Sequence, residues 1–157
     1  MKTTLFLILF GISLNLSGQP YRKVGLAEVE KQLTSASDSL LIVNFWATWC
    51  KPCIEELPHF DSLVDRFPGQ KIKVVLISVD FDTQEASLKR FLQRKKLQPE
   101  VWWLVSNENW IDAIHPEWSG ALPATLVIQP GSPERHLQES AFTAETLDAW
   151  VRTFLHE

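Results

Sequence analysis

Cys50 and Cys53 are the residues of this 157-residue chain whose type and spacing point most directly to chemistry. They are its only two cysteines, and Lys51 and Pro52 lie between them. Two thiols at this spacing can cycle between a dithiol and a disulfide, and the thiolate is the form that attacks another disulfide. We therefore predict thiol-disulfide redox chemistry at this pair, with no cofactor other than the redox-active disulfide itself.

The pair is predicted to lie where a strand gives way to a helix. Residues 40–47 form a nearly continuous apolar run, typical of a strand buried on both faces, and residues 50–67 carry apolar side chains at helical spacing. At a helix start, unpaired backbone N–H groups and the helix dipole stabilise a thiolate, and Pro52 fits the first turn because no intrahelical bond is lost there. We predict that Cys50 is the nucleophile and that Cys53 resolves the mixed disulfide.

Other uses of a cysteine pair fit this sequence less well. A structural disulfide across so short a loop gains little chain entropy. A structural zinc site needs about four ligands, and the sequence has neither a second cysteine pair nor histidines at ligand spacing. A c-type haem would need a histidine directly after Cys53, where Ile54 stands.

The N-terminal segment predicts export. Residues 5–12 form an apolar run that follows a singly charged start and precedes small and polar residues. This run is too short to span a bilayer of about 30 Å, but it suits a secretory signal peptide. We predict a leader over residues 1–18, cleaved near Gly18, and a periplasmic mature protein; a buried N-terminal strand and a membrane anchor are the alternatives.

Length and charge limit the remaining classes. Residues 19–157 have a single-domain length and are enough to bury a core without disulfide staples. The formal net charge is −4, which gives no general reason to expect nucleic acid binding. After the leader, no second apolar segment is long enough to cross a membrane.

Strand and helix patterns alternate along the chain. Strands are predicted over residues 40–47, 71–79, 101–105, 124–128 and 135–139. Helices are predicted over residues 24–36, over 50–67 with a kink at Pro58, after a cap at Thr83, over 110–118 as a short helix or turn, and from Thr143 onward. This order predicts an α/β three-layer sandwich in which helices flank a mixed central sheet, with the last two strands as an antiparallel hairpin.

The segment 45–53, Phe-Trp-Ala-Thr-Trp-Cys-Lys-Pro-Cys, resembles the active-site segment of thioredoxin-fold proteins. The chain as a whole resembles the exported TlpA/ResA-like thiol-disulfide oxidoreductases. Asn44 stands where cytosolic thioredoxins usually carry an aspartate, and Glu56 matches a glutamate beside the active site of ResA-like proteins. Residues 120–125, Gly-Ala-Leu-Pro-Ala-Thr, resemble the segment that carries the cis-proline of the family.

This resemblance implies a thioredoxin-like fold and further site residues. Pro123 would be cis and face the disulfide, while the backbone of Leu122 would pair with an extended substrate peptide. Glu56, one turn beyond Cys53, would exchange a proton with a cysteine if burial raises its pKa. The alternative is that Glu56 is a solvated helix residue like Glu55.

Residues around the cysteines complete the predicted site. Trp46 and Trp49 are candidates to cover the disulfide and stack on a partner, although Trp46 also suits a core position. Lys51 is assigned a modest effect on the thiolate. The substrate-binding residues that we predict are Trp49, Lys51, Pro52, Leu122 and Pro123.

The resemblance implies an exported enzyme that acts on disulfides of other proteins. Reduction is the usual direction in this family, with electrons from an integral-membrane thiol carrier and cytochrome c maturation as one common destination. The Trp-Cys-Lys-Pro-Cys segment, which lacks a histidine between the cysteines, favours a reductase over a disulfide oxidase. The alternative from another class is a thioredoxin-fold binding module or Cu(I) carrier, in which the dithiol is a soft ligand.

Overall fold

A computed structural model describes residues 20–35, 38–106 and 109–155. The predicted leader, residues 1–18, lies outside the described residues. Within them, six strands form one sheet in the order β1-β4-β3-β2-β5-β6. The strands are β1 (Arg22–Val24), β2 (Leu40–Trp46), β3 (Ile72–Ser78), β4 (Glu100–Leu104), β5 (Ala124–Ile128) and β6 (His136–Gln138). The helices are α1 (Leu26–Thr34), α2 (Lys51–Asp61), α3 (Leu63–Arg66), α4 (Glu85–Lys95), α5 (Trp110–Ile114) and α6 (Ala144–Arg152), with a 3-10 turn at Asp82–Gln84.

The sheet is mixed, as predicted. Strands β1, β4, β3 and β2 run parallel, whereas β5 pairs antiparallel with β2 and β6 pairs antiparallel with β5. Strand β2 is therefore central, and all seven of its residues are buried. Because successive side chains of a strand point to opposite faces, β2 supplies apolar side chains to both layers of the core.

The two faces of the sheet carry separate apolar cores. One core contains Ile42 and Trp46 together with residues of α2, α4 and α6. The other contains Val43 and Phe45 together with residues of α1 and α5. Helices thus cover both faces, and the predicted three-layer arrangement is confirmed. None of the helices that the structure describes is long and apolar enough to cross a membrane.

The first helix differs from its prediction. Residues 22–24 form the edge strand β1, in register with β4, and α1 begins only at Leu26 after the cap residue Gly25. The sequence pattern placed Val24 on the helix because its apolar side chain fits the helical stripe. In the structure Val24 is buried, but it belongs to a strand. The strand was not predicted because three residues are too few to show the alternation of a strand.

Two helix boundaries also differ from those predicted from the sequence. The long helix predicted over 50–67, with a kink at Pro58, is two helices: α2 continues through Pro58 to Asp61, and α3 follows after Ser62. Proline removes only the bond that its own missing N–H would make, while its carbonyl still accepts from the backbone N of Ser62 at 3.3 Å. Thr83 does not cap a helix, because it lies inside the 3-10 turn and Gln84 precedes α4.

The later elements follow their predictions more closely. Helix α5 ends at Ile114 rather than extending to 118. Strands β5 and β6 pair as the predicted hairpin. Helix α6 begins after Thr143, as predicted, and the side chain of Thr143 caps it by accepting from the backbone N of Thr146 at 3.3 Å.

Candidate active site

The two cysteines lie at the start of α2, as predicted. Cys50 is the cap residue in extended conformation, α2 begins at Lys51, and Pro52 is in its first turn. Cys50 and Cys53 are joined by a disulfide. The backbone N of Cys53 donates to Sγ of Cys50 at 3.3 Å, so an N–H group of the first turn that has no intrahelical partner points at this sulfur. This geometry favours negative charge on Cys50 when the disulfide is reduced.

The two cysteines differ in exposure. The exposed fraction is 6% for Cys50 and 0% for Cys53. An incoming disulfide can therefore reach only the Cys50 side of the pair. This asymmetry agrees with the roles proposed from the sequence, in which Cys50 attacks and Cys53 resolves.

A buried carboxyl group lies one turn after Cys53. Glu56 is 1% exposed, so the alternative of a solvated residue is wrong. Its Oε1 accepts a hydrogen bond from Nδ2 of Asn44 at 2.8 Å, and its Oε2 accepts one from the backbone N of Phe142 at 2.8 Å. Burial raises the pKa of Glu56 to about 7, although both hydrogen bonds act in the opposite direction. A carboxyl with this pKa can accept and return a proton near neutral pH.

Asn44 connects Glu56 to the centre of the sheet. Its Nδ2 also contacts Oγ1 of Thr125 at 3.1 Å, because Asn44 on β2 is in register with Thr125 on β5. Among the described residues, Oδ1 of Asn44 has no hydrogen-bond partner. The sequence analysis assigned no role to Thr125 or Phe142, although Thr125 ends the segment 120–125 that resembles the cis-proline segment and is a polar residue inside an apolar strand.

A second buried carboxylate holds the loop that leads into Cys50. Both carboxylate oxygens of Asp80 accept from the backbone N of Thr48 at 3.1 Å, and the hydroxyl of Thr48 donates to Oδ1. The hydroxyl of Ser78 donates to Oδ2 at 2.7 Å. Parallel pairing of β2 and β3 brings their carboxyl ends to the same sheet edge, where Trp46 is opposite Ser78. Sequence reasoning missed Asp80 as a site residue, although it directly follows a predicted strand end.

The predicted cis-proline segment lies at the same edge. The Leu122–Pro123 peptide bond is cis, and Pro123 is buried. The next residue, Ala124, is paired with Phe45, so Pro123 is adjacent to the end of β2 from which the Cys50 loop departs. Leu122 is half-buried and packs against both cores. The structure thus brings Leu122 and Pro123 to the end of the sheet that carries the disulfide.

The aromatic and charged neighbours of the cysteines have different environments. Trp46 is fully buried and packs on Phe91 at a centroid distance of 5.4 Å, so it belongs to the core and not to a partner surface. Trp49 is 51% exposed and stacks on Phe81. Lys51 is exposed, and its Nζ lies 3.7 Å from Oε1 of Glu55. Across the described part of the chain, no three His, Cys, Asp or Glu side chains are grouped to hold a metal ion.

The fold and the site together define a thioredoxin-like protein with a Cys-Lys-Pro-Cys disulfide at a helix start. Residues 18–132 match the AhpC/TSA family, and the chain belongs to this family. The thioredoxin-related protein from Neisseria meningitidis serogroup B has a similar fold, with a TM-score of 0.65 and 22% identity over 78% of this chain and 90% of that one. The structural similarity confirms the predicted fold class.

The curated relatives belong to the same class of protein that the sequence resembles. The thiol-disulfide oxidoreductase ResA of Oceanobacillus iheyensis is 24% identical over 76% of this chain and 59% of its own length. The sporulation thiol-disulfide oxidoreductase A of Bacillus subtilis is 35% identical over 36% of this chain and 34% of its own length. The chain thus spans less than two thirds of the length of these relatives. The predicted resemblance to ResA-like proteins is confirmed.

Proposed function

We propose that this chain is an exported thiol-disulfide oxidoreductase that reduces disulfides in other proteins through Cys50 and Cys53. The observation that carries the proposal is the asymmetric pair itself, in which Cys50 at the helix start keeps 6% exposure and Cys53 has none. The names of the relatives support the same reaction class. Export rests on the N-terminal leader pattern.

The first step is attack by the Cys50 thiolate on a substrate disulfide. A bond forms between Sγ of Cys50 and one substrate sulfur, and the substrate S–S bond breaks. The departing substrate thiolate takes a proton from solvent. The N–H groups at the start of α2 stabilise the attacking thiolate before this step.

The second step releases the substrate. Cys53 transfers its thiol proton to the carboxylate of Glu56, and the resulting thiolate attacks Sγ of Cys50. The Cys50–Cys53 bond forms as the mixed disulfide breaks, and the second substrate thiolate takes up a proton. The protein dithiol has lost two electrons and the substrate has gained two. We propose that a dithiol of an integral-membrane thiol carrier then reduces Cys50–Cys53 by the same exchange in reverse.

The substrate-side assignments are part of this proposal. Trp49, Lys51 and Pro52 would border the bound substrate, and the backbone of Leu122 beside Pro123 would pair with it. The position of Leu122 and Pro123 at the sheet edge next to the Cys50 loop supports this placement. Cytochrome c maturation is the destination that the family resemblance suggests.

Two measurements test the proposal. The reduced full chain should reduce the interchain disulfides of insulin. The reduction potential of Cys50–Cys53, measured by equilibration with glutathione, should be about −270 mV, the value of thioredoxin. A potential near −120 mV, the range of strong oxidants, would reverse the direction to a disulfide oxidase. Stoichiometric Cu(I) binding without insulin reduction would instead favour the carrier function.

A further inference from the structure

An exposed aromatic pair lies directly beside the attacking cysteine. Among the described residues, three large apolar side chains are exposed, namely Trp49 at 51%, Val64 at 45% and Phe81 at 66%. Two of the three contact each other, because the rings of Trp49 and Phe81 stack with centroids 6.0 Å apart and planes 12° from parallel. Trp49 immediately precedes Cys50. We call Trp49 and Phe81 the aromatic platform.

Hydrogen bonds of the neighbouring residues hold the platform in position. Asp80, the residue before Phe81, holds Thr48, the residue before Trp49, through the backbone and hydroxyl hydrogen bonds described above. The carbonyl of Asp80 also accepts from Nε1 of Trp103 at 2.8 Å, which ties the segment to β4. Two neighbouring residues after β3 therefore clamp two neighbouring residues before Cys50. A preorganised apolar surface loses less conformational freedom when a ligand binds.

The exposed area of the platform indicates which kind of partner fits it. At the observed exposures, two aromatic side chains present roughly 250 Å² of surface to solvent. A stable interface between two copies of a protein buries about 800 Å² on each. The platform is much smaller than that, and it matches one or two apolar side chains of an extended polypeptide.

We propose that the aromatic platform binds an apolar side chain of the substrate protein, next to the cysteine that Cys50 attacks. Phe81 is then a specificity-determining residue, and the preferred substrates carry a leucine, isoleucine or phenylalanine beside the disulfide. This inference rests on the proposed function, since the occupant is the polypeptide whose disulfide is reduced. The ring of Phe81 supplies the half of the platform that lies outside the active-site segment 45–53.

The test compares two disulfide-linked peptides that differ only in a leucine or a serine beside the cysteine. We expect the reduced full chain to favour the leucine peptide in kcat/KM by about tenfold, the effect of burying roughly half of one large apolar side chain. Phe81→Ala should lower this ratio to about twofold, and Phe81→Leu should keep most of it. Val64→Ala is the matched control, because it removes an exposed apolar side chain beyond the far end of α2 and should keep the tenfold ratio.

Four results would overturn the inference. Equal rates of the wild-type chain with both peptides would show that the platform gives no specificity, and the oxidoreductase proposal would stand. An equal loss in both rates on Phe81→Ala, with an unchanged ratio, would limit Phe81 to supporting the loop. A wild-type dimer that Phe81→Ala converts to a monomer, again with an unchanged ratio, would assign the platform to self-association. Failure to reduce even bis(2-hydroxyethyl) disulfide would refute the proposed function, and this inference with it.

Discussion

Asn44 donates a hydrogen bond from Nδ2 to Oε1 of Glu56 at 2.8 Å, and both side chains are fully enclosed. This contact joins the central strand β2 to α2, the helix that carries both cysteines. It places an amide donor on a carboxyl group whose pKa burial raises to about 7. The proton affinity of Glu56 is therefore set by two opposing effects, desolvation and donated hydrogen bonds.

Asn44→Ala should raise the pKa of Glu56 above its value of about 7. The substitution removes a hydrogen bond that stabilises the ionised carboxylate, while the desolvation remains. Infrared detection of the protonated carboxyl across a pH titration measures this change directly. Thr125→Val is the control, because it removes the other partner of Asn44 without touching Glu56. A pKa that falls in Asn44→Ala would contradict this account of the site.

Glu56→Gln should slow thiol exchange and change its dependence on pH. Glutamine cannot accept the proton of a cysteine, so the step in which Cys53 attacks loses its base. We expect a reduction of about 10² in rate at pH 7, the lower end of general-base contributions, and a shifted pKa of Cys50 or Cys53. Stopped-flow rates with a peptide disulfide from pH 5 to 9 measure both; an unchanged pH–rate profile would exclude a proton-transfer role.

Glu56 should also make stability depend on pH. The folded pKa of about 7 is higher than the ordinary value of 4.5, so the folded state binds the proton more tightly than the unfolded state. The free energy of unfolding should therefore fall by about 3 kcal/mol as pH rises from about 4.5 to about 7. Urea unfolding of the oxidised protein at several pH values measures this. Glu56→Gln should lose this fall, whereas Glu55→Gln, which changes an exposed neighbour, should retain it.

Asp80→Ala should loosen the loop before Cys50. It leaves the half-buried N–H of Thr48 and the buried hydroxyl of Ser78 without their acceptor, at a cost of about 1–3 kcal/mol in the free energy of unfolding. Urea unfolding measures the loss, and hydrogen exchange at the amide of Thr48 reports whether it is local. Asp82→Ala, an exposed carboxylate two residues away, should change stability by less than about 0.5 kcal/mol. A protected Thr48 amide in Asp80→Ala would contradict the proposed anchor.

Cys53→Ala should accumulate mixed disulfides through Cys50, because the resolving thiol is gone. Cys50→Ala should accumulate none, since Cys53 is completely buried and cannot reach a partner. Non-reducing electrophoresis after incubation with a disulfide-bonded peptide separates the two results. Equal trapping by both variants would mean that the roles of the cysteines are not fixed by their burial.

Part of this site follows from local sequence. The cap position of Cys50, the first-turn position of Pro52 and the disulfide depend on neighbours within one helical turn, which is why the pattern of residues 40–67 was sufficient to predict them. The alternation of strands and helices likewise predicted the mixed sheet and both helical layers. Strand β1 escaped prediction because three residues carry no readable period.

Other parts depend on contacts between distant segments. The bond from Asn44 to Thr125 spans 81 residues, and that from Phe142 to Glu56 spans 86. Both exist only because β5 is antiparallel to β2 in one register and α6 follows on the same face. Sequence alone suggested that Glu56 would act as an acid or base, but its burial, and hence its raised pKa, required the packed fold.

The sequence by itself determined that two cysteines would meet at a helix start and which of them would face a partner. Helix capping and the dipole act within one turn, so neighbouring residues are enough to define them. The tertiary structure decided what surrounds that pair. Parallel pairing of β2 and β3 brought Asp80 and Phe81 to Thr48 and Trp49, across 32 residues of sequence. Such contacts depend on strand register and chain crossover, which no local pattern specifies.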